Sequence, residues 1–261
     1  MQLPYPMREM GHRVFGRIPV PIRSGINRGR KWSVVALGRG YGSGSFGRER
    51  LDALAAVVRG GDSFWDVGAH KGFITLAASR MVGPSGHVVA VEPSAINLRF
   101  LRRHIEWNGV GNVTVVPVAL GDAPGEAAFG GRGSSIAFRM GEGPERVRVH
   151  TVEELVAERG SRSPTVLKID VEGTEAAVLR GMGPLLGGDQ ALLISTHGRD
   201  LYHQCRRTLE QRGFHVFDSW EIARRLESGA PWSSDHDLLA VGPDRDVDTE
   251  RLADLRLFRG P

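Results

Sequence analysis

The stretch Phe64-Trp65-Asp66-Val67-Gly68-Ala69-His70-Lys71-Gly72 decides how the chain is divided into strands and helices. Phe64–Asp66 reads as a short buried strand. Gly68 and Gly72 read as a turn, since glycine opens φ/ψ space closed to other residues. A helix pattern then runs from about Gly72 to Met81. Working outward, the same alternation recurs. A helix is expected before this stretch, over Arg48–Val58, with Leu51, Leu54, Ala55 and Val58 on one face. Beyond it, His87–Val91, Val113–Val118, Val166–Ile169, Ala191–Ser195, Phe214–Phe217 and Leu238–Val241 are apolar runs of strand length. Helix patterns separate them: one capped by Ser94 with Leu98, Leu101 and Ile105 on a face, then Thr174–Leu186 and Asp200–Arg212. Strands joined by helices of about 10–15 residues imply βαβ units and a doubly wound, mainly parallel α/β sheet.

Two regions leave this pattern. Residues 126–150 carry glycine-punctuated β-like pieces, Glu126–Phe129 and Arg146–His150, suited to a β-hairpin insertion. Thr151-x-x-Glu154 then matches a capping box opening a short helix. Residues 1–47 are rich in Gly, Pro and Arg without a sustained period, and are expected to form an N-terminal extension. It would hold a short strand near Trp32–Leu37, a mobile glycine run from Gly38 to Gly44, and Tyr41 and Phe46 as parts of a lid. The remainder divides into a main domain over 48–245 and a C-terminal tail over 246–261.

Composition narrows the class. The 261 residues are 41% hydrophobic and 25% charged, as in an ordinary globular protein. No apolar run approaches the roughly 20 residues that span a bilayer, and no apolar signal segment follows the N-terminus. The single Cys205 excludes an internal disulfide, so a reducing cytoplasmic setting is expected. A net charge of +4 raises the question of nucleic acid. The basic residues are nearly all arginine interspersed with acids, lysine occurring only at 31, 71 and 168. Only the first 50 residues, with Arg23, Arg28, Arg30, Lys31 and Arg39, come close to a concentrated basic stripe, and an acidic small substrate or no electrostatic preference explains the charge equally well.

A doubly wound sheet binds ligands outside the carboxyl ends of its strands. The first strand ends at Asp66, and Gly68 and Gly72 follow. A pyrophosphate would approach the helix N-terminus, where a carboxylate just ahead of the glycines repels it. S-adenosylmethionine carries no phosphate and presents an ammonium and a sulfonium, so Asp66 suits its methionine end; a plain helix-capping role is the alternative. The second strand ends at Glu92-Pro93, where an acid can accept from both ribose hydroxyls. The third ends at Ala119-Leu120-Gly121-Asp122, with small apolar residues for adenine and Asp122 for its amine, or Gly-Asp as a mere turn. The fourth ends at Asp170-Val171-Glu172-Gly173, two carboxylates facing the path of the methyl group. Glu172 and Glu175 also fit a helix's first turn. His197 closes the fifth strand, placed to act as a general base.

Together these residues resemble the FkbM family of class I methyltransferases, from about Leu51 to Ser219. The landmarks are Asp66-Val67-Gly68-Ala69-His70-x-Gly72, Val91-Glu92-Pro93, Asn108, Ala119-Leu120-Gly121-Asp122, Ser134-Ser135, Thr151-Val152-Glu153-Glu154-Leu155, Lys168-Ile169-Asp170-Val171-Glu172-Gly173-x-Glu175 and Leu179-x-Gly181. The Lys-Ile-Asp-Val-Glu-Gly run is the most specific. His70 stands where the family usually has Asn, and Ser195-Thr196-His197 keeps the His of a Glu-x-His pattern without the Glu. The resemblance implies a Rossmann-like sheet of seven strands, the last antiparallel, with S-adenosylmethionine held by Asp66, Gly68, Ala69, His70, Gly72, Glu92, Pro93, Ala119, Leu120, Asp122 and Asp170. It implies methylation of hydroxyls in sugars, polyketides or other secondary metabolites, with N-methylation of a peptide as the alternative.

The expected reaction is in-line displacement, with His197 as the favoured base and Asp170 or Glu172 beside it. No metal is expected, because the Asp-Asn pair that metal-dependent small-molecule O-methyltransferases place after the next strand is missing. Substrate contacts are expected from Ser134 and Ser135, and from Trp220, Trp232 and His236 in and around the late loop. A nucleic-acid methyltransferase is disfavoured, since Asp170-Val171-Glu172-Gly173 lacks the Pro-Pro-aromatic run that orients a base. A module that only binds a nucleoside stays open, as does a homodimer.

Overall fold

A computed structural model describes residues 15–38, 40–130, 139–141, 143–159, 162–228 and 236–260. A short hairpin, β1 (Pro19–Pro21) and β2 (Lys31–Ser33), precedes helix α1 (Arg48–Val57). Then come β3 (Ser63–Val67), α2 (Phe73–Val82), β4 (His87–Val91), α3 (Ala95–Trp107) and β5 (Val113–Val116). Next are β6 (Ala119–Leu120), β7 (Gly125–Gly130), β8 (Arg139–Met140), β9 (Glu145–His150) and α4 (Val152–Arg159). The chain continues through β10 (Val166–Ile169), α5 (Glu175–Arg180), β11 (Ala191–Thr196), α6 (Arg199–Gln211) and β12 (His215–Asp218). It closes with α7 (Trp220–Ser228), β13 (His236–Val241), α8 (Thr249–Ala253) and α9 (Arg256–Arg259).

Seven strands form the central sheet in the order β12-β13-β11-β10-β3-β4-β5. All neighbours from β11 to β5 run parallel, and only β13 runs antiparallel to both its partners. Because side chains alternate across a strand, each strand feeds two cores. Trp65, Val67, Leu167, Ile169, Leu192 and Ile194 pack on one face with Tyr202 and Cys205. Phe64, Val166, Leu193 and Leu239 pack on the other with Trp32, Leu54 and Leu76. Being covered on both faces is what a parallel sheet requires. The chain leaves β3 for β4 and β5 on one side and returns to β10 on the other, so a crevice opens above the carboxyl ends of β3 and β10.

Three expected boundaries move. The third strand was to run to Val118 but stops at Val116, since Pro117 has no N–H to give the ladder. Ala119–Leu120 instead joins β9, β7 and β8 in a separate four-stranded sheet, the hairpin insertion. The helix expected over Thr174–Leu186 ends at Arg180. Gly181 lies so close to the Gly121 carbonyl that a Cβ there would sit 2.0 Å from the oxygen, and Pro184 follows in a 3₁₀ turn. The strand near Trp32–Leu37 is shorter, passing into a 3₁₀ turn at Val34–Ala36 whose last carbonyl accepts from Trp32 Nε1 at 2.8 Å. The capping box forms as read: Thr151 N–H donates to Glu154 Oε2, and Glu154 N–H to Thr151 Oγ1, both at 3.0 Å.

The N-terminal segment is pinned to the domain through His104. Its ring is fully buried and stacks on Trp32, with centroids 3.8 Å apart. Nε2 accepts from Ser33 N–H at 3.0 Å, which leaves Nδ1 to donate to the Lys71 carbonyl at 2.8 Å. That arrangement needs the neutral ring. Burial, aided by the charges of Lys71 and Arg103, pushes its pKa down to about 4. The folded pKa lies below the unfolded one, so the stabilisation is complete above the unfolded value of about 6.5. It is lost as pH falls from there to about 4. We expect urea unfolding to show a loss of up to about 3 kcal/mol across that window, from about 1.4 kcal/mol per pKa unit. His104→Gln, which can keep both hydrogen bonds, should flatten it. At the other end, α8 and α9 bury Leu252 and Leu257 against the same core. Among the described residues no helix is long and apolar enough to cross a membrane.

Candidate active site

The turn after β3 is packed backbone to backbone. The N–H groups of Gly68 and Ala69 both donate to the Val91 carbonyl at 3.0 Å, tying the turn to the end of β4. Gly68 adopts φ 77°, and a Cβ there would lie 1.9 Å from the Asp170 carbonyl oxygen. Glycine is required by this crossing, which brings the first and fourth strand ends together. Gly72 also takes a left-handed φ of 90° and starts α2 without lining the cleft, whereas Gly68, Ala69 and His70 line it.

Asp66 is not where the sequence reading puts it. It lies in register with Lys168 on the neighbouring strand, and period two turns both side chains to the face under α2. The carboxylate is fully buried. Oδ2 accepts from Thr75 Oγ1 at 2.6 Å, and Oδ1 lies 3.3 Å from Lys168 Nζ. Lys168 Nζ in turn donates to the carbonyls of Gly68 at 2.7 Å and Val67 at 3.3 Å. Asp66 thus acts behind the wall, anchoring the lysine that shapes the turn.

Glu92 does face the cleft. Its Oε2 accepts from His70 N–H at 2.7 Å, and Oε1 from Ser94 N–H at 2.9 Å and Asn97 Nδ2 at 3.2 Å. Burial pushes the carboxyl's pKa up against these three donors and the Lys168 charge. A carboxylate has about four acceptor sites, so one is left for a ribose hydroxyl rather than the two expected. Pro93 lines the cleft beside it, and Val118, Ala119, Leu120, Phe129 and Met140 form an apolar wall. Asp122 lies outside that wall: its Oδ2 accepts from Arg180 Nε at 3.0 Å and Nη2 at 2.8 Å, and this hydrogen bonding pulls its pKa down. Asp122→Ala is accordingly expected to change S-adenosylhomocysteine affinity less than about twofold by calorimetry, the range of an exposed pair.

On the opposite side, Asp170 and Glu172 line the cleft with Thr174. His197 stands behind them, its Nε2 3.8 Å from Asp170 Oδ1 and 3.4 Å from Glu172 Oε2. Its Nδ1 donates to Glu175 Oε1 at 2.7 Å, and Glu175, fully buried, also accepts from Gly173 N–H. Burial pulls the ring's pKa down, but the Glu175 hydrogen bond and the charges of Glu175, Glu172 and Asp170 outweigh it and raise the pKa to about 9. This surrounding favours the protonated ring, a poor proton acceptor, and so disfavours His197 as the base. Arg50, from α1, reaches across the chain: its Nε donates to Asp237 Oδ2 at 2.7 Å and its Nη1 lies 3.7 Å from Asp170 Oδ2. Ser195 Oγ donates to the other Asp237 oxygen at 2.6 Å. Tyr41 and Phe46, stacked with centroids 4.1 Å apart, close this side.

Of the expected substrate contacts, Ser134, Ser135 and Trp232 lie outside the described residues. Trp220 opens α7, where the Arg224 guanidinium sits over its ring, and it does not line the cleft. His236 is buried at the start of β13, also off the cleft, its carbonyl accepting from Thr196 Oγ1. The residues the sequence left unassigned are Arg50, Asn97, Lys168, Ser195 and Asp237. Only Lys168 had a signal, as a lysine inside an otherwise apolar strand in a chain with three.

The donor set suits a nucleoside that carries positive charge and no phosphate. An apolar wall faces a buried acid with one acceptor site open, and the far side is acidic. Among the described residues, Lys168 and Arg50 line the cleft, and both face carboxylates.

Comparison with known proteins bears on this reading. A family model described as the methyltransferase FkbM domain matches residues 66–216, more than half of the chain. Among solved structures, the chain is similar to a putative rRNA-methylase from Clostridium thermocellum, at 11% identity and a TM-score of 0.51, covering 76% of this chain and 96% of that one. It is also similar to Aeropyrum pernix fibrillarin in complex with natively bound S-adenosyl-L-methionine, at 18% identity and a TM-score of 0.46, covering 73% and 74%. A third is an S-adenosylmethionine-dependent O-methyltransferase from Thermotoga maritima, at 16% identity and a TM-score of 0.45, covering 77% and 66%. Likeness at these identities concerns the fold alone. No curated protein matches the chain.

Proposed function

The chain belongs to the methyltransferase FkbM domain family and is an S-adenosylmethionine-dependent methyltransferase, and we propose that it methylates a hydroxyl oxygen of a small molecule such as a sugar or polyketide. When bound, S-adenosylmethionine supplies an electrophilic methyl group: an acceptor lone pair forms the C–O bond, the C–S pair stays with sulfur, and the hydroxyl proton must leave. The chain's own part is to position and to exclude water. Glu92 accepts from the ribose, and Val118, Ala119, Leu120 and Phe129 hold the adenine. The backbone of Gly68, Ala69 and His70 borders the methionine end.

The observation that carries the hydroxyl reading is the pair Asp170 and Glu172 opening on the same cleft as the Gly68 turn. A carboxylate there takes the departing proton, and Asp170, with Arg50 on its other oxygen, is the acceptor we favour. His197, oriented by Glu175, lies beside both carboxylates and holds them in place. Tyr41 and Phe46 give the acceptor an apolar side that keeps out bulk water.

Calorimetric titration should give one site per chain for S-adenosylmethionine and S-adenosylhomocysteine, and none for NAD. Glu92→Gln should weaken both by about 10- to 100-fold, the value of a hydrogen bond to a charged group. With methyl-labelled cofactor and an extract of the producing cells, the product should be heavier by one methylene with the label on oxygen. Label found on nitrogen alone would overturn the hydroxyl reading and leave the cofactor reading standing.

A further inference from the structure

The side chains facing the acceptor also make a donor set of another kind. Asp170, Glu172 and His197 each offer one ligand atom, and the three atoms lie within 4.8 Å of one another. Two of the separations are 3.8 Å and 3.4 Å, from His197 Nε2 to the carboxylate oxygens. Donors bound to one cation at about 2.0–2.2 Å stand roughly 3.0–3.6 Å apart in adjacent positions. The two histidine–carboxylate separations are within a few tenths of an ångström of that range, and the two carboxylate oxygens lie within 4.8 Å of each other.

The histidine's other nitrogen points the same way. Nδ1 is committed to Glu175 Oε1, and that carboxylate is fully buried and fixed by Gly173 N–H. The bond sets the ring's orientation and leaves Nε2 directed at the two carboxylates. A carboxylate behind a histidine is how metal-binding imidazoles are oriented and made more basic. Arg50 occupies the side of Asp170 Oδ2, so Oδ1 is the oxygen turned to the histidine. Three segments contribute: the end of β10, the turn between β10 and α5, and the end of β11.

We propose that Asp170, Glu172 and His197 bind a first-row divalent cation, which holds the acceptor hydroxyl. One imidazole with two carboxylates suits Mn²⁺, Fe²⁺ or Zn²⁺ better than Mg²⁺ or Ca²⁺, which favour oxygen alone. Three protein ligands leave positions open toward the cleft, and a hydroxyl bound there loses its proton more readily. Asp170 then acts as a ligand, and the proton leaves to water. The cation's role rests on the methyltransferase reading, but its binding does not. The competing account is that the imidazolium proton alone neutralises the two acids.

The probe is Mn²⁺, added to the full chain after chelator treatment and dialysis, with free Mn²⁺ read by electron paramagnetic resonance and heat by calorimetry. One saturable site per chain in the micromolar range is expected, displaced by Zn²⁺. Glu172→Gln and His197→Gln should each weaken it at least about 30-fold while still melting cooperatively, and Asp170→Asn replaces whichever does not fold. No saturable Mn²⁺ or Zn²⁺ binding at millimolar concentration, or binding indifferent to all three substitutions, overturns the site. S-adenosylhomocysteine is titrated into the same sample. If it binds where the cation does not, only the metal site fails; if it does not bind at all, the methyltransferase reading fails.

Discussion

Gly68→Ala is expected to lower S-adenosylhomocysteine affinity by more than about 100-fold and to cost about 3–5 kcal/mol of stability, at the upper end for a single substitution. Two terms add. The left-handed φ of 77° costs an L-residue about 1–2 kcal/mol. The new Cβ then meets the Asp170 carbonyl at 1.9 Å, and both partners are backbone. Neither can rotate away, so the turn and the end of β10 must separate, and with them the two halves of the cleft. Gly72→Ala is the control. Its φ of 90° carries a similar conformational cost, but its Cβ would meet Leu101 Cδ1 at 2.5 Å, the far end of a side chain that can move. Calorimetry and urea unfolding on both variants read the difference. Gly68→Ala binding within threefold of the native chain would remove the turn from the cofactor site.

Lys168→Met is the second large effect. Lys168 and Asp66 are cross-strand neighbours, and the aspartate is fully buried. Removing the cation leaves a buried charge with Thr75 as its remaining partner, which costs about 3–5 kcal/mol. The carbonyls of Val67 and Gly68 lose their donor as well. Replacing both members by apolar residues of similar size should recover most of the loss, because a buried pair contributes little beyond its own desolvation. A double-mutant cycle of Asp66→Leu and Lys168→Met in urea tests this. If the double variant is as unstable as the sum of the singles, the pair is not coupled.

Lys168 and Asp66 also mark where the sequence stopped being legible. The strands at the fold's centre were readable because β10, β11 and β13 carry apolar runs, broken in β10 only by Lys168 and followed or preceded by polar residues in β11 and β13. Asp66 was read as the end of a strand that runs one residue further, to Val67, and the face it turns to, the one under α2, depends on register. Glu92 was legible as a strand-end acid facing the cleft, while its three donors and the single site they leave were not. His197 was read as a base because its three acidic neighbours lie 22 to 27 positions away, two of them first taken as helix-start acids. Their charges favour the protonated ring, which a reading of His197 alone does not show. Arg50 and Asp237 are separated by 187 positions, beyond the reach of any local pattern. Pro117 was in plain view, and the overrun of the third strand to Val118 came from weighing the valines above it.

The central claim is that the cleft above β3, β4 and β10 holds the cofactor with its ribose on Glu92 and its sulfur turned toward Asp170 and Glu172. A crystal structure of the full chain with S-adenosylhomocysteine tests it most directly. The account predicts a ribose hydroxyl within hydrogen-bond distance of Glu92, adenine against Ala119 and Leu120, and the sulfur on the side of Asp170. The nucleoside bound elsewhere, or in this cleft with its sulfur turned away from both carboxylates, would contradict it.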